Sequence, residues 1–458
     1  MEQVIKTLCG KIRGTTCQWD GVTAFKGIRY ATAGRFEYPQ MVTKWEGIYN
    51  ATEYGNCSYQ PRAFYDEEKM PEKAFYYNEF RKGRTYTYSE DCLFLNIWVP
   101  KGAKPSDKLP VLFYIHGGGF TGGCGHEKHF DGPIWAKKGI VAVTMNYRLG
   151  PMGFVCLPEL KEEAGHTGNY GLYDQMTAMK WVKANIEAFG GDAENITIMG
   201  QSAGAMSVQR HCISPLTDGL FQKAVMSSGG GVHPMFDVSD TAENRYAFWQ
   251  EVMNIAGCST LAEFRALEPE KLFEAWNKAK ADNPKAAMAT FPCLDGELLP
   301  EPASVITEKG LQKNIPYMMG STSHDIVPPY VFQMAKEWCI KQAKQGKQDS
   351  YCWFFDRKLP GDENGAWHSS DLWYWFGTLK NGWRPFTQLD DMLSDKMSDY
   401  LCNFAKTGNP NGEGLPEWTP MKKEDDLVLH CGEQGISMSD VDMELLHEIM
   451  RTNVAVGE

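Results

Sequence analysis

The sequence predicts an α/β fold built on a large, mostly parallel sheet, and three observations predict it. Apolar runs of strand length recur at residues 111–115 (Val-Leu-Phe-Tyr-Ile), 140–145 (Ile-Val-Ala-Val-Thr-Met) and 196–199 (Ile-Thr-Ile-Met). A longer stretch with helical periodicity, residues 174–189, lies between the second and third of them. The first and third runs each end in a glycine-rich turn. Continuous apolar runs suit strands buried on both faces, the condition of a parallel sheet covered by helices. Strands alternating with helix require crossover connections, and such sheets place their chemistry at the carboxyl ends of the strands.

The first run leads into His116-Gly117-Gly118-Gly119-Phe120, and residues 114–123 hold five glycines in ten positions. Glycine relaxes the backbone dihedrals and lets another molecule approach the main chain, so exposed N–H groups are the candidate working parts. A phosphate loop would need Gly-x-x-x-x-Gly-Lys-Ser/Thr, and neither that lysine nor that hydroxyl is present. A dinucleotide loop would have to open a helix, and Phe120-Thr121-Gly122-Gly123-Cys124-Gly125 is a poor helix start. Beside a plain tight turn, the remaining use is an oxyanion hole.

The third run ends in Gly200-Gln201-Ser202-Ala203-Gly204-Ala205, a Gly-x-Ser-x-Gly pattern roughly 80 residues after the glycine loop. A serine on a sharp strand-to-helix turn needs glycine two before and two after it, because side chains there would meet the neighbouring strand and helix. The following helix turns its first N–H groups and positive dipole end toward the serine. Ser202 is thus the candidate nucleophile, and the N–H groups of Gly118, Gly119 and Ala203 are the candidate oxyanion hole. The competing assignment is an N-cap serine in a glycine-rich turn.

The chain has 458 residues, 43% of them hydrophobic and 23% charged, with no linker, composition shift or repeat to mark a boundary. One domain over 1–458 with insertions is expected. A net charge of −12 without a Lys/Arg cluster opposes nucleic-acid and anionic-membrane partners. The amino-terminal stretch lacks the apolar core of a secretion signal, and no run approaches the ~20 apolar residues of a membrane span, so a soluble cytoplasmic protein is expected. The thirteen cysteines are scattered without a Cys-x-x-Cys pair and read mostly as buried thiols. Residues 124–129, Cys-Gly-His-Glu-Lys-His, gather possible metal ligands, but no second cluster completes a site and Lys128 would repel a cation, so they read as a loop rim.

Taken together, Ser89-Glu90-Asp91-Cys92-Leu93, His116 to Phe120, Asn146-Tyr147-Arg148, residues 169–175, Phe189-Gly190-Gly191-Asp192, Gly200 to Ala205, residues 221–229 and Leu294-Asp295-Gly296 resemble the type-B carboxylesterase family. That family belongs to the α/β-hydrolases and also contains the cholinesterases and non-catalytic adhesion proteins. The resemblance covers about residues 10 to 420, and it implies an α/β-hydrolase fold with cap and loop insertions over the active site. Within the motifs, Arg148, Asp174, Glu90 and Asp192 read as ion pairs that hold loops.

The fold orders its triad Ser, Asp or Glu, then His. Of the histidines well beyond Ser202, namely His233, His324, His368, His430 and His447, only His368 fits the family's loop: Trp367-His368-Ser369-Ser370-Asp371, followed by aromatics. His430 adjoins an expected strand over 426–430, and His447 sits in a helical pattern. Met319-Gly320-Ser321-Thr322-Ser323-His324-Asp325 resembles the segment that carries the acid, with Asp325 where glutamate is usual and Ile326 where glycine is usual. The interval from 325 to 368 is shorter than in the family, which implies a trimmed helical region over the pocket. Cys57 and Cys92 correspond to a pair that is often bridged in relatives, and the cytoplasmic reading implies that both stay reduced here.

These assignments imply a serine esterase with no metal or organic cofactor, acting on a small-molecule ester. Gln201, and the lack of tryptophan between Cys57 and Cys92, depart from the cholinesterase pattern and disfavour a choline ester. Residues 58–88 are rich in aromatics, among them Tyr59, Phe64, Tyr65, Phe75, Tyr76, Tyr77, Phe80, Tyr86 and Tyr88. They suit an aromatic-walled mouth for neutral apolar or aryl esters, unless they pack beneath their own loop. A non-catalytic binding protein of the same fold would typically lose the serine. A lipase would show an apolar lid, whereas segment 60–88 is rich in Lys, Arg and Glu.

Overall fold

The computed structural model describes residues 3–16, 21–283 and 288–452. The principal strands are β1 (Gln3–Thr7), β2 (Gly10–Thr16), β3 (Val22–Arg29), β4 (Phe94–Pro100), β5 (Leu109–Ile115), β6 (Val141–Met145), β7 (Gly191–Gln201), β8 (Lys223–Ser227), β9 (Tyr317–Thr322), β10 (Ser350–Phe355), β11 (Val428–Gly432) and β12 (Gly435–Ser439). They form one sheet in the order β1-β2-β3-β4-β6-β5-β7-β8-β9-β10-β11-β12. From β6 to β11 every pairing is parallel; the flanking pairings are antiparallel.

The winding reverses at β5. The chain steps outward from β5 to β6, then returns across β5 to lay β7 on its other side. Loops leaving β5 and β7 therefore part from adjacent strand ends in opposite directions, which opens a crevice at the switch point. Register sharpens the placement, because Ile115, the last residue of β5, pairs with Gly200.

Both faces of the central strands are buried, which is why their sequences read as continuous apolar runs rather than alternating ones. Val111, Phe113 and Ile115 of β5 share a cluster with Trp181 of α1 (Tyr170–Asn185), Val208 of α2 (Ala203–Ile213) and Trp338 of α3 (Pro328–Lys344). Leu112 and Tyr114 face the other way, into a cluster with Leu393 and Met397 of α4 (Gln388–Thr407). Each fully buried Leu, Ile or Phe contributes roughly 1.5–3 kcal/mol. A third cluster, holding Trp249, Phe264, Phe273 and Trp276, packs the insertion after β8 against Met152 and Leu160.

Three boundaries differ from expectation. The helix expected over 174–189 begins at Tyr170 and ends at Asn185, and a 3-10 turn continues to Phe189. Its first turn is masked in the sequence by Gly171, required because a Cβ there would lie 2.6 Å from the Arg148 carbonyl, and by Asp174, which bonds Arg148 instead of capping the helix. The third apolar run is the regular end of a longer strand, β7, whose polar entry is irregular between Gly191 and Ile196. The strand expected at 426–430 is β11, two residues further on; His447 lies in helix Met443–Thr452 as expected.

Candidate active site

Ser202 sits between β7 and α2 with φ 57° and ψ −128°, a conformation that costs a non-glycine residue about 1–3 kcal/mol and must be held from outside. Its amide donates to the Ser227 carbonyl of β8 at 2.9 Å. The flanking glycines allow the close packing that holds the turn. A Cβ on Gly200 would lie 2.3 Å from the Gly204 carbonyl carbon, and one on Gly204 would lie 2.1 Å from the Ile115 carbonyl oxygen. The spacing in Gly-x-Ser-x-Gly is thus a contact between α2 and the ends of β5 and β7.

The glycine loop after β5 turns at Gly118 and Gly119, both with positive φ (106° and 60°). Gly118 closes on the Gly122 carbonyl, whereas nothing lies within 3.4 Å of a Cβ built on Gly119. Among the described residues, the amides of Gly118 and Gly119 donate to no protein acceptor.

Asp325 follows β9 by three residues, and His368 lies in the loop between β10 and the short helix Leu372–Trp375. Asp325 Oδ1 accepts from His368 Nδ1 at 2.6 Å and from the Ile326 amide at 2.9 Å. Its Oδ2 accepts from the amide and hydroxyl of Thr322 at 3.3 and 3.2 Å. Burial alone would raise this carboxyl, but the charge and hydrogen bond of His368 outweigh it and hold Asp325 below the ordinary carboxylate range. Thus Asp325 stays ionised and accepts from His368 Nδ1; in the neutral imidazole this arrangement leaves Nε2 as an acceptor.

That acceptor faces Gln201: the Gln201 Nε2 lies 3.2 Å from His368 Nε2. Among the described residues Ser202 Oγ makes no hydrogen bond, and the glutamine amide occupies the Nε2 side of the imidazole. The sequence nominates Gln201 only as a departure from the cholinesterase pattern; its contact with His368 joins positions 167 apart.

Asp371 is a second acid behind the site. Its Oδ2 accepts from Ser227 Oγ at 2.7 Å and Trp375 Nε1 at 3.1 Å, while Oδ1 has no partner. Burial, assisted by Asp325, pushes it up to about 6.

Ser202, Ala203, Gly118, Gly119, Asp325 and His368 all line one cavity of about 720 Å³. The interval from 325 to 368 holds α3, which packs on the sheet, and β10, with only Val331 and Met334 of α3 reaching the cavity. The expected aromatic mouth is divided. Tyr65, Phe75, Tyr76 and Phe80 line the cavity. Tyr59 and Phe64 stack on each other and Phe64 reaches Phe273, Tyr77 bonds Glu68, and Tyr88 bonds Arg62. Phe236 and Phe291, from the insertion after β8, complete the apolar wall. Two pairs of charges on the wall neutralise each other, Arg62 with Glu127 at 2.7 Å and Arg81 with Glu67 at 2.6 Å, while Glu72, Lys73 and Asp237 also line the cavity.

The residues read as ion pairs largely behave so. Arg148 and Asp174 form a buried two-pronged pair at 2.9 and 2.7 Å, and Glu90 pairs with Arg35. Asp192 differs: its carboxylate accepts the Glu194 amide within its own turn. Residues 124–129 are not a loop rim either, since Cys124, His126, Glu127 and His129 are buried. Glu127 faces Arg62, and His129 stacks on Phe80. The described cysteines, Cys57 and Cys92 included, are buried free thiols.

Two overlapping stretches of the chain, residues 1–354 and 326–445, match the Carboxylesterase family. The para-nitrobenzyl esterase of Bacillus subtilis (strain 168) is 36% identical over 92% of this chain and 93% of that protein. The bile salt-activated lipase of Rattus norvegicus is 30% identical over 92% of this chain and 79% of its own length. Among solved structures, a PNB esterase superposes with a TM-score of 0.83 at 27% identity, covering 98% of this chain and 99% of that one. An esterase from anaerobic Clostridium hathewayi, described as able to hydrolyse aliphatic aromatic polyesters, also superposes with a TM-score of 0.83, at 26% identity over 99% of this chain.

Proposed function

Because the chain belongs to the carboxylesterase family and is a carboxylic ester hydrolase, we propose that its reaction runs through Ser202, His368 and Asp325, with the N–H groups of Gly118, Gly119 and Ala203 as the oxyanion hole. The observation that carries the assignment is the 2.6 Å bond between Asp325 and His368 Nδ1 in the wall of the cavity that Ser202 enters. As substrate binds, the Gln201 amide yields His368 Nε2 to the Ser202 hydroxyl. His368 takes the serine proton as Oγ attacks the ester carbonyl, and the oxyanion settles on the three N–H groups. His368 then protonates the leaving alkoxide, and water repeats the sequence on the acyl-enzyme.

Substrate class follows the cavity. An apolar, aromatic wall on which Arg62 pairs with Glu127 and Arg81 with Glu67 suits neutral apolar or aryl esters, and the para-nitrobenzyl and aromatic-polyester activities in the names of its relatives point the same way. The bile salt-activated lipases among its relatives raise an interfacial reading. Segment 61–81 argues against it, because Arg62 and Arg81 tie it to Glu127, at 2.7 and 3.6 Å, instead of its forming an apolar lid.

The buried free thiols support a reducing, cytoplasmic setting, the acidic surface disfavours nucleic acid and anionic membrane, and the continuous sheet supports a single domain. No helix among the described residues is long and apolar enough to cross a membrane. Ser202→Ala tests the site: kcat for a small aryl ester should fall by roughly 10⁴ or more with the fold intact, and a variant keeping a tenth of the activity would refute it.

A further inference from the structure

The end of the glycine loop carries a group of side chains that ester chemistry does not use. Cys124 and His126 follow the oxyanion segment, and Cys57 enters from the stretch that leads into the aromatic wall. Two Sγ atoms and one imidazole nitrogen lie within 4.8 Å of one another, and all three residues are buried. The Cys57 Sγ to His126 Nε2 separation is 3.6 Å. A tetrahedral ion with metal–sulfur and metal–nitrogen bonds of ~2.3 and ~2.1 Å needs an S···N edge of about 3.6 Å, so this pair already stands at ligand spacing.

The surroundings hold this geometry. The His126 ring stacks on Tyr54, centroids 4.6 Å apart and planes 11° from parallel, with Tyr86 5.4 Å to the side. Two positive charges stand close by and both are paired: Arg62 with Glu127 at 2.7 Å, and Arg84, which donates to the His126 carbonyl at 2.8 Å, with Asp131 at 2.9 Å. Lys128, the residue that would repel a cation, turns its Nζ to the Asn78 carbonyl at 3.3 Å. A second cavity, of about 360 Å³ and lined by Tyr54, Arg84, Tyr86 and His126, gives an approach to the imidazole. Other cysteines also approach each other, Cys156 and Cys293 at 3.8 Å, but no second such group of metal-ligating side chains occurs among the described residues.

We propose that Cys57, Cys124 and His126 form a binding site for a thiophilic divalent ion, Zn²⁺. Binding forms two S–Zn bonds and one N–Zn bond, and the two thiols give up their protons to solvent. Zinc is not redox-active, so no oxidant is involved. The ion would join two segments already tied by Gln60, whose side chain bonds the Gly123 amide at 2.9 Å and its carbonyl at 3.0 Å. It would therefore brace the loop that carries Gly118 and Gly119. The site has no part in the triad assignment, and neither proposal's failure bears on the other.

The test uses the full chain, reduced and metal-free, titrated with Co²⁺ and then Zn²⁺. The expected result is a sulfur-to-cobalt charge-transfer band that saturates at one ion per chain, is bleached by Zn²⁺, and is accompanied by a higher Tm with zinc. Cys57→Ser and Cys124→Ser should each abolish the band, and Cys156→Ser should keep it. Should the serine variants fail to fold, alkylation of the wild type followed by peptide mass mapping decides: zinc must shield Cys57 and Cys124 above all other cysteines. No band in the wild type, a band that survives in folded Cys57→Ser or Cys124→Ser, or shielding at other cysteines overturns the site.

Discussion

Replacing Asp325 by asparagine keeps the shape of the side chain and inverts half of its hydrogen bonding. With Oδ1 left toward His368, the new amide nitrogen meets the Thr322 N–H where Oδ2 accepted it at 3.3 Å, donor against donor. With the amide turned, its nitrogen faces His368 Nδ1 and the Ile326 N–H, which Oδ1 accepted at 2.6 and 2.9 Å. Either orientation strands a buried donor, at a cost of about 1–3 kcal/mol of stability. The second also drives the imidazole to carry its proton on Nε2, where it cannot accept from Ser202. The expected loss in kcat is 10²–10⁴, or about 2.7–5.4 kcal/mol of barrier, smaller than for Ser202→Ala because the oxyanion donors remain. The assay is kcat for a small aryl ester beside a thermal unfolding curve. Asp325→Glu should fall between wild type and Asp325→Asn, because it restores the charge but adds a methylene to a fully buried contact. A folded Asp325→Asn enzyme within threefold of wild type, with Asp371→Asn inactive, would refute the assignment of the acid.

Gln201→Glu places a carboxylate about 3 Å from His368 Nε2 and favours the imidazolium. The acidic limb of the kcat/KM profile should move up by on the order of one pH unit, and an unmoved limb would deny the contact. Asp371 binds its proton more tightly in the folded protein than in the unfolded chain, up to about pH 6 against an ordinary 3.8. Its contribution is therefore complete below about pH 4 and lost as pH rises through 6. Asp371→Asn should remove a decline in stability of roughly 3 kcal/mol over that interval while sparing kcat, measured by denaturant unfolding at pH 4 and 7. Gly204→Ala forces a methyl to 2.1 Å from the Ile115 carbonyl and should cost ~1–3 kcal/mol or more in Tm-derived stability, together with most activity. A variant with wild-type Tm would mean that α2 does not pack on β5 as described.

Local signals were legible and distant ones were not. The central strands are readable because burial on both faces makes each a continuous apolar run, and the nucleophile turn because its motif is contiguous in sequence: Gly200 is forced by its contact with Gly204, although Gly204 itself is forced by Ile115 on a distant strand. The order of the proposed triad, Ser202, Asp325, His368, is the order expected for this fold. The start of α1 was obscured because Gly171 and Asp174 answer to Arg148, outside the helix. The aromatic stretch could not be divided in advance: whether Phe75 faces the cavity while Phe64 faces Phe273 depends on an insertion two hundred residues later. The same holds for Gln201 beside His368 and Cys57 beside His126, contacts between segments that no local pattern links.

If Ser202 carries the acyl group, the acyl-enzyme can be trapped on it. Wild-type enzyme is mixed with excess aryl ester, quenched in acid within the first turnovers, digested and mapped by mass. The expected result is one acyl group per chain on the peptide containing Ser202, and none at that position in Ser202→Ala. An acyl group borne by another residue, or full turnover by Ser202→Ala without any adduct, would contradict it.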